Sequence, residues 1–94
     1  MRVHWTRPAL AGLTRAIDFL HQKSPTAAQR ASTTIREAAA RLAEFPHSGR
    51  PYPRDPALRE LLIPFGAHGY SILYELRGDV VIIARLRHQR EAGY

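Results

Sequence analysis

Val3 and Trp5 alternate with Arg2 and His4, the two-residue period of a half-buried strand over Arg2 to Trp5. Thr6 then reads as an N-cap, with Arg7-Pro8 in the first turn, where proline loses no needed hydrogen bond. Leu10, Leu13, Ile17 and Leu20 recur at helical spacing and predict an amphipathic helix from about residue 7 to 22, with Arg15, Asp18 and Gln22 outward. Ser24-Pro25 breaks the pattern and opens a second helix, whose stripe is Ala28, Ala31, Ile35, Ala38 and Leu42. Its small residues allow close approach, so the pair reads as an αα-hairpin.

Pro46 stops the second helix near Phe45. Residues 46–57 hold four of the seven prolines and predict an ordered but irregular connector. The remainder is strand-like. Leu58 to Phe65 reads as one strand and Gly69 to Leu76 as a second, alternating Tyr70, Ile72, Tyr74 and Leu76. Gly78-Asp79 is a tight turn, and Val80 to Arg87 is a third strand. The order β-α-α-β-β-β implies an α+β layer fold: helices on one face of a small antiparallel sheet, the first strand joining at an edge.

Ninety-four residues allow one domain, spanning 1–94, with a thin core. There is no cysteine, which excludes a disulfide scaffold, a cysteine zinc site and thiol catalysis. No apolar run approaches the roughly 20 residues that span a bilayer. Arg7, Arg15 and Asp18 break any leader-like apolar run, so a soluble cytoplasmic protein is expected.

Fourteen basic residues face eight acidic ones, giving +6, and Lys23 is the single lysine. Arginine pairs with carboxylate and phosphate in bidentate fashion, so an acidic protein or a nucleic acid is a fitting partner. An arginine-rich coding bias explains the Arg:Lys ratio equally well, but not the net charge. The histidines, His4, His21, His47, His68 and His88, fall on different elements, so no metal site is expected. Arg85, Arg87, His88 and Arg90 form the densest basic cluster, with Tyr94 beyond it. On strict alternation Arg85 and Arg87 share a face with Val81 and Ile83, and Arg59 stands near enough in the meander to join them. The plain alternative is a solvated sheet end that keeps a basic protein soluble.

The motifs Trp5-Thr6-x-x-Ala9-x-x-x-Leu13, Ser24-Pro25-x-Ala27-Ala28 and Leu42-x-x-Phe45-Pro46-x-x-Gly49-Arg50 stand in that order. Arg59-Glu60-Leu61, Tyr70-x-Ile72-x-Tyr74 and Leu86-Arg87-His88-Gln89-Arg90-Glu91 follow. In this order and spacing the chain resembles the RelE/ParE toxin superfamily of bacterial type II toxin–antitoxin modules, over nearly its whole length. The resemblance implies the same β-α-α-β-β-β layout and no cofactor.

It also implies two possible activities. RelE-like members cut mRNA on the ribosome, using basic side chains to hold the phosphate and its transition-state charge. ParE-like members inhibit DNA gyrase by binding and stabilising its cleaved DNA complex, with no catalytic residues. The nuclease branch places an arginine directly after the Gly-Tyr of the middle strand, where Ser71 stands here, and lysines at the positions of Leu62 and Pro64. These departures, and the closing His88-Gln89-Arg90-Glu91, resemble the ParE branch. On that reading Arg59, Arg85, Arg87, His88 and Arg90 are candidate target contacts. On the nuclease reading Arg59, His88, Arg90 and Tyr94 are the catalytic candidates, His88 or Tyr94 moving a proton. A remnant that only binds its antitoxin is a third reading.

The implied partner is a ParD-like antitoxin with an acidic C-terminal segment that wraps the toxin. Leu10, Leu13 and Ile17 are the candidate antitoxin contacts, divided between core and groove. Sequence-specific DNA binding by the toxin itself is not expected, and no membrane partner is implied.

Overall fold

The computed structural model describes every residue except Ala92. Strand β1 (Arg2–Trp5) leads into helices α1 (Arg7–Lys23) and α2 (Pro25–Arg41). Strands β2 (Arg50–Tyr52), β3 (Asp55–Ile63), β4 (Tyr70–Arg77) and β5 (Val80–His88) follow. They form one mixed five-stranded sheet in the order β1-β5-β4-β3-β2, with β1 parallel to β5 and the other pairs antiparallel. The α+β class, the αα-hairpin, the meander and the edge position of β1 are as the sequence pattern predicts.

The connector differs from expectation. Residues 46–57 are not wholly irregular: Arg50–Tyr52 pairs with Asp55–Glu60 as a short outer strand. Proline is tolerated there because an edge strand leaves half its N–H groups without ladder partners. The order is therefore β-α-α-β-β-β-β.

Both helices begin as their caps dictate. The Thr6 hydroxyl accepts from the Ala9 N–H at 3.2 Å, and the Ser24 hydroxyl from the Ala27 N–H at 3.1 Å, each followed by proline in the first turn. The helices bury Ala9, Ala31, Ile35, Ala38 and Leu42 against Ile63, Ile72, Tyr74, Val81, Ile83 and Leu86. Gly12 allows α1 to lie directly on β5, since a Cβ there would stand 2.5 Å from the Leu86 carbonyl oxygen. The connector is pinned from below: the buried Tyr74 hydroxyl donates to the Pro46 carbonyl at 2.7 Å and accepts from the Gly49 N–H at 3.0 Å. No helix among the described residues is long and apolar enough to cross a membrane.

A β-bulge decides which way the last strand points. Tyr74 pairs with Ile83, but Leu73 pairs with Arg85, so Ala84 is extra. Alternation restarts one residue later. Leu86, not Arg85, continues the core face of Val81 and Ile83. Arg85 and Arg87 turn to the helix-free face beside Leu73 and Ser71. The expectation that they share a face with Val81 and Ile83 is thus corrected. The bulge is tied to the start of α1: the Thr6 N–H donates to the Ile83 carbonyl at 3.1 Å, and its hydroxyl reaches the Ile83 and Ala84 carbonyls at 2.9 and 3.1 Å.

Candidate functional site

Directly opposed residues on neighbouring strands share a face. Glu60 opposes Leu73, and Ser71 opposes both Leu62 and Arg87, so Glu60, Ser71 and Arg87 gather on the helix-free face. Glu60 is 3% exposed and Ser71 is fully buried. An isolated carboxylate so placed would be costly, and its partners explain why it persists. Arg50 donates to its Oε1 from Nη2 at 2.8 Å, and Tyr94 donates to its Oε2 at 2.6 Å. The Arg87 guanidinium stands 3.7 Å from the same Oε2. Burial pushes the Glu60 carboxyl up, but the Tyr94 and Arg50 hydrogen bonds and both arginine charges outweigh it, and the net shift is downward.

Tyr94 has one hydroxyl proton, and its hydrogen bond is donated to Glu60. The Ser71 hydroxyl, 2.7 Å away, therefore donates to the phenol oxygen. Burial and then the Glu60 carboxylate push the Tyr94 phenol up to about 12. Its ring is held on two sides, by the Arg87 guanidinium 4.8 Å from the centroid and by Tyr52 edge-on at 5.9 Å. Arg87 also donates from Nη1 to the carbonyls of His88, Gln89 and Glu91, which closes the turn after β5.

His88 lies on the other face. It opposes Tyr70, with the rings edge-to-face at 5.3 Å, and His68 stands 5.9 Å away. Burial, then the charges of His68 and Arg90, lower its pKa against a smaller opposing effect of Glu91. The imidazole is therefore neutral at pH 7. Its Nδ1 accepts from the Arg90 N–H at 3.1 Å, so its proton sits on Nε2. His88 presents a donor, not a free base. With Arg15, Ala16, Phe19, Tyr70 and Arg90 it lines a groove of about 420 Å³ beside α1.

The basic residues singled out in the sequence thus do not converge. Arg59 is spent on the connector, donating to the carbonyls of Gly49 at 3.0 Å and His47 at 3.2 Å. Arg85 is exposed and donates only to the Ala84 carbonyl. Arg87 and Tyr94 stand together, whereas His88 and Arg90 belong to the α1 groove. Among the antitoxin candidates Leu10 is 48% exposed, while Leu13 and Ile17 pack half-buried against the core. Sequence reasoning missed Glu60 and Arg50 as the centre of the polar cluster and Phe19, 58% exposed, on the groove. The available signal for Glu60 was a carboxylate between Leu58 and Leu62 on one strand face.

The family described as "ParE toxin of type II toxin-antitoxin system, parDE" matches residues 3–93. The chain is 40% identical over 79 residues to Toxin RelE3 of Caulobacter vibrioides, covering 84% of each chain. It is 41% identical over 87 residues to Toxin RelE2 of the same organism, covering 93% of each. A solved structure described as the chromosomal ParDE TA system from P. aeruginosa superposes with a TM-score of 0.77 at 26% identity, over 94% of this chain and 95% of that one. The motifs that interlock here, from Pro46 and Gly49 on Tyr74 to Arg50 on Glu60, are those that carry the resemblance. The chain belongs to the ParE toxin family of type II toxin–antitoxin systems.

Proposed function

We propose that this toxin acts by binding rather than by catalysis: it holds DNA gyrase on cleaved DNA and is neutralised by a ParD-like antitoxin. The observation that carries the reading is the Glu60 carboxylate at the centre of the polar cluster. A metal-free nuclease site needs unneutralised cations facing the phosphate and a group ready to move a proton. Here a carboxylate engages Arg50 and Arg87, Ser71 supplies no charge, and Tyr94 is a hydrogen-bonded phenol that stays protonated far above pH 7. His88, the other proton carrier, lies across the sheet with its acceptor nitrogen occupied. The cluster is built to hold the segment around Tyr94 on the sheet.

The antitoxin reading draws on the ParDE neighbour and on the α1 groove. Exposed Phe19 stands beside Arg15 and Arg90 there, which suits an acidic amphipathic segment, whereas Leu10 lies outside that groove. The alternative, ribosome-dependent mRNA cleavage, draws on the RelE names of two relatives and on Arg87 and Tyr94 standing together. Purified toxin titrated into a gyrase supercoiling reaction separates the two. Cleaved DNA that accumulates with toxin and disappears on adding antitoxin supports the proposal. Undisturbed supercoiling at a molar excess of toxin overturns it.

A further inference from the structure

Two concavities adjoin, sharing Arg87 and Tyr94 as walls, one reaching α1 and the other the β2–β3 hairpin. One, about 310 Å³, is walled by Arg15, Arg85 and Arg87, and the other, about 280 Å³, by Arg50, Arg54 and Arg87. Five arginines from α1, β5 and the β2–β3 hairpin thus form one row. Arg15 and Arg54 make no hydrogen bond or ion pair among the described residues, and Arg85 bonds only a backbone carbonyl. Arg50 remains 62% exposed although it reaches Glu60, and the Nε of Arg87 is buried without a partner. Against them stand Glu60, already engaged, and Glu91 on the rim, whose carboxylate accepts from the His88 N–H at 3.4 Å. The bulge at Ala84 brings two members into the row by turning Arg85 and Arg87 away from the core face.

We infer that this row binds the phosphodiester backbone of duplex DNA, so that the toxin grips the DNA as well as the protein of the complex it traps. The inference rests on the gyrase reading for its biological setting. The aromatic groups favour duplex backbone over unpaired RNA. Single strands are held by bases stacked on open ring faces. The Tyr94 ring has a guanidinium over its face and Tyr52 against it edge-on, and its hydroxyl is fixed at both ends. What remains available is the guanidinium of Arg15, Arg54 and Arg85, which no carboxylate engages among the described residues and which neutralises phosphates without reading bases. An acidic amphipathic peptide is the poorer fit, because among the described residues no exposed large apolar side chain lines either concavity; Phe19 belongs to the neighbouring α1 groove, which shares Arg15.

The test is fluorescence anisotropy of antitoxin-free toxin with a mixed-sequence duplex of about 20 base pairs, titrated from about 50 to 200 mM salt. Single-stranded RNA of equal length and a polyglutamate peptide are run beside it. Log affinity for duplex is expected to fall with log salt by about 0.9 per phosphate neutralised. The double variant Arg15→Ala/Arg85→Ala is expected to weaken binding at least tenfold and to flatten that slope by about two. The charge-matched control Arg36→Ala/Arg41→Ala, on exposed α2 positions, removes the same charge from another surface and is expected to retain both. Equal losses in the two double variants, or tighter binding of RNA or polyglutamate, would overturn the inference. So would an absence of duplex binding at low salt. Gyrase trapping measured on the same preparations keeps the two proposals apart: trapping without duplex binding removes this inference alone.

Discussion

The hydroxyl of Tyr94 donates to the buried carboxylate of Glu60 at 2.6 Å, and the segment that follows β5 is fixed to the sheet through that bond. A hydrogen bond to a charged group contributes about 1.5–3 kcal/mol. Tyr94→Phe keeps the ring under Arg87 and removes only this bond and the one from Ser71. The expected result is destabilisation within that range, or a thermal midpoint lower by roughly 4–8 °C per kcal/mol. Growth inhibition by the variant should persist. A variant of unchanged stability that has lost toxicity would mark Tyr94 as a reacting group.

The same pair sets the pH range of stability. Glu60 titrates below its ordinary value of 4.5 in the folded chain, so the unfolded chain binds the proton more readily. Its contribution is present above that value and is lost as pH falls through the folded pKa. Tyr94 is shifted the other way, from 10 to about 12. Its contribution is intact below pH 10 and is lost as pH rises towards 12. Urea unfolding across pH should show both losses, with Glu60→Gln flattening the acid side and Tyr94→Phe the alkaline side. Unaltered acid and alkaline limbs in these variants would mean that other groups govern the range.

Gly12→Ala tests the contact that places the end of β5. The added methyl would meet the Leu86 carbonyl oxygen at 2.5 Å, with backbone on both sides and no flexible side chain to give way. Overpacking of this kind costs about 1–3 kcal/mol. Calorimetry is expected to show that loss, although alanine is the better helix former. Equal or higher stability would show that α1 can lift from the sheet without penalty.

Phe19→Glu places a carboxylate on the α1 groove, where the wild-type ring is 58% exposed. Little core packing is lost, so the folded state should persist by circular dichroism. Calorimetric titration with antitoxin should show at least a tenfold weaker complex, since an apolar anchor is lost and a like charge added. Unchanged affinity would move the antitoxin off this groove.

Local pattern carried most of the fold. A hydroxyl cap and a proline at both helix starts, the alanine stripe of α2 and the alternation through Tyr70, Ile72 and Tyr74 each express a backbone preference within a few residues. Strand β2 was not legible, because three residues centred on Pro51 hold together only through their pairing with β3. The bulge at Ala84 was hidden for a related reason: it is set by register against β4 and by Thr6, 78 positions earlier. That one extra residue reassigned Arg85 and Arg87 to the other face. The cluster around Glu60 draws on five separate segments, and no spacing in the chain announces that Arg50, Ser71 and Tyr94 meet there.

The central claim is that toxicity arises from binding to gyrase on DNA and not from cutting RNA. The most direct measurement is a single induction of the toxin in growing cells, with chromosome integrity read on pulsed-field gels and transcript ends mapped by primer extension from the same culture. Broken chromosomes with intact transcripts, both restored to the uninduced state by antitoxin, are the predicted result. Cleaved transcripts in cells with intact chromosomes would contradict it.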